Sequence, residues 1–315
     1  MLILTALIIA LFLQNAGNDG IAAKYPNDRN IETDPDVLYA ENFEDGLPAI
    51  FSRYHDVLNK ENMSVDSDVP ANSAGQHSLK ITNTGGVNTG GHLFRSFDPG
   101  FDSTIYIRYY VKYPSISKGY IHHEAVWIGG YDPAISWPNP RAGMCNIDGR
   151  LSISYEPVDN EGTMGTYLYW PGMHSWNGGT SCYGNNVATG NKNAMALQWD
   201  KWMCIEVMIK MNSPATASNG ELRIWQDGKE IGHWGPGFPN GRWTKDVWHI
   251  NPSAPPFEGF RWRTTDSMKL NYLWIEYFDD KSPAGESHHI KYDNIVIARK
   301  YIGPVKTAQN IDDEK

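Results

Sequence analysis

The chain has 315 residues, 41% of them hydrophobic and 20% charged, which is enough apolar side chain to pack a core and excludes a disordered chain. Its 30 Gly and 19 Pro, set beside 12 Trp, 17 Tyr and 10 Phe, favour turns and strands over long helices. A formal charge of −9 without any basic stripe argues against a nucleic-acid partner.

That charge is unevenly spread. Residues 1–23 carry −1, residues 24–45 carry −5 and residues 307–315 carry −2, which leaves about −1 for residues 46–306. The body is close to neutral, so an anionic substrate is compatible with it.

Leu2 to Leu13 is a run of twelve mostly aliphatic residues followed by polar Gln14 and Asn15. It is too short to cross a bilayer and has the form of a secretory signal peptide, with cleavage expected after Ala16 or Ala23. No other stretch is apolar enough to span a membrane, so the expected protein is secreted or periplasmic, with no membrane partner. The expected organisation is a signal peptide over 1–23, an extended entry segment over 24–37, one large domain over 38–304 and a polar tail over 305–315.

From Leu38 onward, short runs rich in β-branched and aromatic residues alternate with Gly, Pro, Asn and Asp clusters. Strands are expected at Ile105 to Val111, Ile121 to Ile128, Leu151 to Tyr155, Thr166 to Trp170, Trp202 to Met211, Glu221 to Gln226, Leu270 to Phe278 and Lys291 to Ala298. No helical period persists beyond about two turns. Many short strands in one domain predict an all-β protein, a sandwich or jelly roll of two antiparallel sheets. Two long loops, Pro171 to Asn193 and Trp234 to Gly259, carry His174, Trp176, Tyr183, Trp243, Trp248 and His249, an aromatic content that argues against disorder.

The cysteines are Cys145, Cys182 and Cys204. Three free thiols, or one disulfide with one thiol left over, both fit. Cys145 and Cys182 lie in Gly/Asn-rich loop sequence and are the expected pair, whereas Cys204 falls inside a strand.

Alternation assigns faces. In 105–111, Ile105, Ile107 and Val111 point one way, and Tyr106, Arg108 and Tyr110 the other. In 203–211, Met203, Ile205, Val207, Ile209 and Met211 form an apolar face, opposite Trp202, Cys204, Glu206, Met208 and Lys210. In 120–128, Ile121, Ala125 and Trp127 are expected inside, leaving Tyr120, His122 and Glu124 outside. A sheet face rich in Tyr, Arg, Glu, His and Lys suits a sugar-binding groove, because aromatic faces stack on pyranose rings while polar groups bond the hydroxyls. A solvated outer face is the alternative.

The run Trp202 to Asn212 followed by Asn219 to Gly228 resembles a hairpin of concanavalin A-like jelly rolls, as found in secreted polysaccharide lyases of the alginate and glucuronan lyase kind. Glu41-Asn42-Phe43-Glu44-Asp45-Gly46, Tyr292 to Ala298 with Tyr301-Ile302-Gly303-Pro304, and Tyr167 to Met173 are similar to the first, last and an inner strand of that group. The likeness covers about residues 38–304. The Arg-x-Glu-x-Arg and Gln-Ile-His strands of the best-known alginate lyases are absent, with Tyr120-Ile121-His122 the nearest echo of the second. The Glu-x-Asp-x-x-Glu strand of jelly-roll β-glucanases is absent too.

The resemblance implies β-elimination on a uronic-acid-containing polysaccharide, by a monomer needing no cofactor for catalysis. That reaction needs a group to neutralise the uronate carboxylate, a base for the α proton and an acid for the leaving oxygen. Arg141 or Lys210, or a protonated Glu206, is expected to neutralise. His122 or His174 is expected as base, and Tyr167 or Tyr169 as acid or base. Arg108, Tyr110, Glu124, Trp176 and Trp225 are expected to hold substrate. The resemblance also places a structural calcium between Glu44 and Asp293, on the first and last strands. A glycoside hydrolase using two of Glu124, Glu206 and Glu276, or a binding module without catalysis, are the other readings.

Overall fold

The computed structural model describes residues 20–145, 147–189 and 196–307. The apolar run of the expected signal peptide lies outside the described residues. Strands follow in the order β1 (Val37–Glu41), β2 (Asp56–Leu58), β3 (Met63–Asp66), β4 (Ser78–Thr84), β5 (Gly90–Phe101), β6 (Thr104–Lys112), β7 (His123–Tyr131) and β8 (Arg150–Pro157). They continue with β9 (Met164–Tyr169), β10 (Trp202–Lys210), β11 (Glu221–Gln226), β12 (Lys229–Trp234), β13 (Gly241–Thr244), β14 (Val247–Ile250), β15 (Leu270–Phe278) and β16 (Ser287–Ala298). One short α-helix, α1 (Leu47–Ser52), follows β1.

Two antiparallel sheets stack into the expected jelly-roll sandwich. The back sheet runs β12-β11-β10-β6-β16-β4-β3, with β1 also pairing β16, and the front sheet runs β2-β5-β15-β7-β8-β9. Local sequence explains the clearest hairpin. Asp227 and Gly228 both take positive φ between Gln226 and Lys229, the two-residue turn whose twist matches the flanking strands.

The core lies between the sheets. Ile105, Ile107, Tyr109 and Val111 of β6 and Met203, Ile205, Val207 and Ile209 of β10 meet Val126 and Ile128 of β7, Leu151 and Ile153 of β8, and Leu273 and Ile275 of β15. Alternation therefore holds in β6 and β10 as read from sequence. In β7 it holds with the opposite phase. Val126 and Ile128 point inward, so Ala125 and Trp127, expected inside, lie on the outer face of the front sheet, beside Trp274 and Tyr272.

The outer face of the back sheet is sealed by the chain itself. Residues 20–34 and 299–306 cross it, with Ile21, Ala22 and Ile31 packed against Val296, Ala298 and Ile302. The Ile21 and Ala22 amides bond to the Tyr301 and Ile302 carbonyls at 3.0 and 2.9 Å.

Candidate functional site

The front sheet carries a different outer face. Register aligns Phe94, Trp274 and Trp127 across β5, β15 and β7 in one row, and His92, Glu276 and Ala125 in the next. Trp127 and Trp274 sit 5.6 Å apart, and Tyr272 stacks on Phe94 at 5.2 Å. Gly129 makes this floor possible: a Cβ there would lie 2.1 Å from the Tyr272 ring. Trp137, on the loop after β7, covers one half of the floor, with centroids 5.3 Å from His92 and 5.2 Å from Trp274.

The other half is open. A cleft of about 810 Å³ over β7, β8 and β9 is lined by His122, His123, Glu156, Tyr167, Trp176, Tyr183, Asp246 and Lys281, among others. Its centre is a pair. His123 Nδ1 lies 3.1 Å from Glu156 Oε1, and the His123 ring meets the Tyr167 ring edge-on at 5.1 Å. The Tyr167 and Tyr169 hydroxyls are 3.3 Å apart. Gly184, at positive φ, brings its loop against Tyr167, where a Cβ would lie 3.0 Å from the ring. The loop carrying Tyr183 is tied to the loop after β7 by the disulfide Cys145–Cys182, the expected pair, while Cys204 is buried and free.

Burial sets the electrostatics. Burial holds the Glu156 carboxyl above its ordinary range, with His123 pulling the other way. Glu276 is pushed well above its range by desolvation and by Glu156. Desolvation and Tyr169 raise Tyr167, which keeps its phenol protonated, and Tyr169 is raised for the first of these reasons. His122 is lowered, chiefly by burial and then by His123, whose ring it stacks on at 4.5 Å. Among the described residues lining the cleft, Lys281 is the one Lys or Arg.

The predicted residues divide sharply. Tyr167, Tyr169, His122 and Trp176 come together around the cleft, although His122 precedes β7 and sits 3.3 Å from Asp280 rather than on the strand face. Glu124, expected in the groove, is fully buried and takes the His122 amide, because the reversed phase of β7 turns it inward; burial raises it well above the carboxylate range. His174, expected as a base, lies outside the cleft lining, stacked on Trp243 at 4.1 Å with Nε2 3.2 Å from Glu258. Arg141 is exposed on the loop after β7, outside the cleft lining.

The back-sheet candidates are corrected by their cover. Arg108 is fully buried and pairs with Asp28 while donating to the Gly303 and Asn294 carbonyls. Glu206 accepts the Ile302 and Gly303 amides at 2.7 and 2.8 Å, and burial pushes it up to about 7. The Tyr110 hydroxyl accepts the Val305 amide, and Trp225 packs against Tyr301. Lys210 pairs with Glu221 at 2.6 Å on the same face. None of these five reaches the cleft.

Sequence reasoning passed over His123, Glu156 and Lys281. Glu156 was legible: Ser152, Ser154 and Glu156 alternate with Leu151, Ile153 and Tyr155, which marks the polar face of β8.

A second cavity, of about 510 Å³, is lined by Asp28, Glu32, Glu41, Glu44 and Asp45 with Arg29 and Arg108, an excess of acid that disfavours a polyanion. Near it stand the two residues expected to hold calcium. Asp293 Oδ2 is buried without a partner, and burial followed by Glu44 raises its carboxyl, which suits a cation. Glu44 instead directs its oxygens to the Gln76 and His77 amides and to His77 Nδ1. Among the described residues, no group of three or more His, Cys, Asp or Glu side chains is arranged to hold a metal ion.

No protein-family model and no curated protein matches the sequence. Solved structures do match. The marine PL-14 alginate lyase from Aplysia kurodai superposes with a TM-score of 0.55 at 12% identity, covering 83% of this chain and 98% of that one. The alginate lyase vAL-1 from a Chlorella virus superposes with a TM-score of 0.52 at 15% identity, covering 83% and 99%. The chain has the concanavalin A-like jelly-roll fold that these alginate lyases share.

Proposed function

We propose that the protein is a secreted polysaccharide lyase that cleaves a uronic-acid-containing polymer by β-elimination in the cleft over β7–β9. The observation that carries this reading is the His123–Glu156 pair set against Tyr167. With Nδ1 held by Glu156, His123 keeps Nε2 to take the proton α to the uronate carboxylate, and imidazole is the side chain suited to that task near neutral pH. The electron pair left behind forms the new double bond as the glycosidic C–O bond at the β carbon breaks. Tyr167, held protonated by its surroundings, gives its proton to the departing oxygen. Lys281 supplies the positive charge that makes the α proton acidic. The alginate lyases that share the fold make alginate the first polymer to test.

Export is part of the proposal. The Leu2–Leu13 run and the Cys145–Cys182 disulfide both support an oxidising compartment. Cleavage after Ala16 suits the fold better than cleavage after Ala23, which would remove buried Ile21 and Ala22. A structural calcium at Asp293 and Glu44 belongs to the proposal as well: added calcium should raise the melting temperature and a chelator lower it, and indifference to both discards the site.

A glycoside hydrolase is the second reading, favoured by Glu156 and Glu276, whose carboxyls interact on the front face. Glu156 lines the cleft but Glu276 does not, so the two carboxyls do not flank one bond there, as hydrolysis requires. The purified protein, incubated with alginate, other polyuronates and neutral glycans, separates these readings. Reducing ends with ultraviolet absorbance of a new double bond support the lyase. Reducing ends without it establish the hydrolase, and binding with neither leaves a carbohydrate-binding module.

A further inference from the structure

Two elements outside the catalytic pair meet at the mouth of the cleft. The first is the loop after β9, which presents Trp176 and Tyr183, each 42% exposed, among the largest apolar side chains open to solvent. Trp176 is not held loosely. Its amide bonds to the Ser181 carbonyl at 3.1 Å, and Asn177 Oδ1 accepts the Ser181 amide and the Thr180 hydroxyl, closing a tight turn behind the ring. The second element is the β13–β14 hairpin, whose two-residue turn is Lys245 and Asp246. Lys245 takes positive φ there, and its ammonium stands 3.5 Å from the Trp176 ring centroid.

The two elements are fixed to each other. Asn186 and Val247 form a bridge, with the Asn186 amide on the Asp246 carbonyl and the Trp248 amide on the Asn186 carbonyl. Glu258 then locks the outside of the joint, accepting from Trp243 Nε1 at 2.8 Å and lying 3.2 Å from His174 Nε2. So an ammonium is preorganised over one face of a partly exposed ring at the edge of a cleft. Among the described residues, Lys245 forms no ion pair. A cation held only by a ring quadrupole keeps its capacity for an anion, and the opposite face of the ring stays available for the C–H face of a pyranose whose carboxylate reaches round the ring edge to the ammonium.

We propose that Trp176 and Lys245 form a distal subsite for an acidic sugar, in which the ring stacks the pyranose and the ammonium reads its carboxylate. The proposal rests on the reading of this cleft as a polyuronate site and deepens it by naming a residue that distinguishes acidic from neutral chains. Lys281 acts at the cleaved bond, whereas Lys245 acts on a neighbouring sugar and takes no part in the proton transfers. It therefore governs affinity rather than chemistry.

The test uses a size-defined oligouronate and the same oligosaccharide with its carboxyl groups reduced to alcohols, titrated calorimetrically into the full chain carrying His123→Ala to prevent turnover. Adding Lys245→Met should weaken the oligouronate about tenfold and leave the reduced sugar within about twofold. Adding Trp176→Ala should weaken both sugars by about tenfold. Lys245→Met leaving the oligouronate unaffected, or weakening both sugars equally, overturns the subsite, as does a failure of the oligouronate to bind at all. The catalytic reading is scored separately, by double-bond absorbance from the protein with His123 intact. Elimination without dependence of binding on Lys245 sinks the subsite alone. Lys245-dependent binding without elimination sinks the lyase alone. In the protein with His123 intact, Lys245→Met should raise KM for the polyuronate with little change in kcat.

Discussion

The two sheets of this sandwich expose outer faces of similar chemistry and opposite fate. The back face carries Tyr106, Arg108, Tyr110, Cys204, Glu206 and Trp225, and residues 20–34 and 299–306 close it into a second interior. The front face carries Trp127, Trp274, Tyr167, His123 and Glu156, and half of it stays open as a cleft. Aromatic and charged side chains on alternating positions thus mark a face that has something to bind. Whether that face is closed by the chain itself or left open as a cleft depends on which segments cross it.

The comparison is sharpened first on the back face. Arg108→Met strands Asp28 in a buried setting, so unfolding in urea should show a loss of about 3–5 kcal/mol. Turnover per folded molecule should not change, and a specific loss of kcat would move the site to the back sheet. On the front face, replacing Cys145 and Cys182 together by Ser frees two loops held across a separation of 37 residues. Chain entropy puts that loss at about 3–4 kcal/mol. The same double variant should raise KM for the polymer, since Tyr183 adjoins the bridge; an unchanged KM would show that the rim needs no tether.

The chemistry comes next in size. His123→Ala and Tyr167→Phe should each cut elimination on the order of a hundredfold, about 3 kcal/mol, while the melting temperature stays close to that of the parent. His122→Ala should do much less, because its ring faces Asp280 rather than Glu156. Equal losses from the two histidines would dissolve the distinction between them.

The smallest effect is a pH slope on the back face. Glu206 sits at about 7 when folded against an ordinary 4.5, so the folded protein binds that proton more tightly than the unfolded chain. Its contribution is fullest below about pH 4.5 and is lost as pH rises to about 7, by roughly 3 kcal/mol at most. Subtracting the melting curves of Glu206→Gln from those of the parent should isolate this slope; parallel curves would contradict it.

Most of the fold could be read from local pattern. Leu270 to Phe278 and Glu221 to Gln226 appear as β15 and β11 with the expected ends, and the faces of β6 and β10 are as alternation assigns them. The site was harder for two physical reasons. Covering the back face takes contacts such as Arg108 to Asp28 and Glu206 to Ile302, across 80 and 96 residues, and nothing near those strands announces them. In β7, Ala125 and Trp127 were assigned to the core because they are apolar. They are indeed buried, but on the outer face of the front sheet, among Phe94, Tyr272 and Trp274. Apolar character identified a packed face without saying which of the two it was, and that single phase error exchanged His122 for His123 and turned Glu124 outward.

The central claim is that polyuronate lies across β7–β9 on the front face. A crystal structure of the His123→Ala protein with a bound oligouronate tests it most directly. The account predicts sugar rings in the cleft between Tyr167 and Trp176, with a carboxylate close to Lys281. An oligosaccharide seated instead against the segments that cover β6 and β10, or in the acidic cavity beside Glu44, would contradict it.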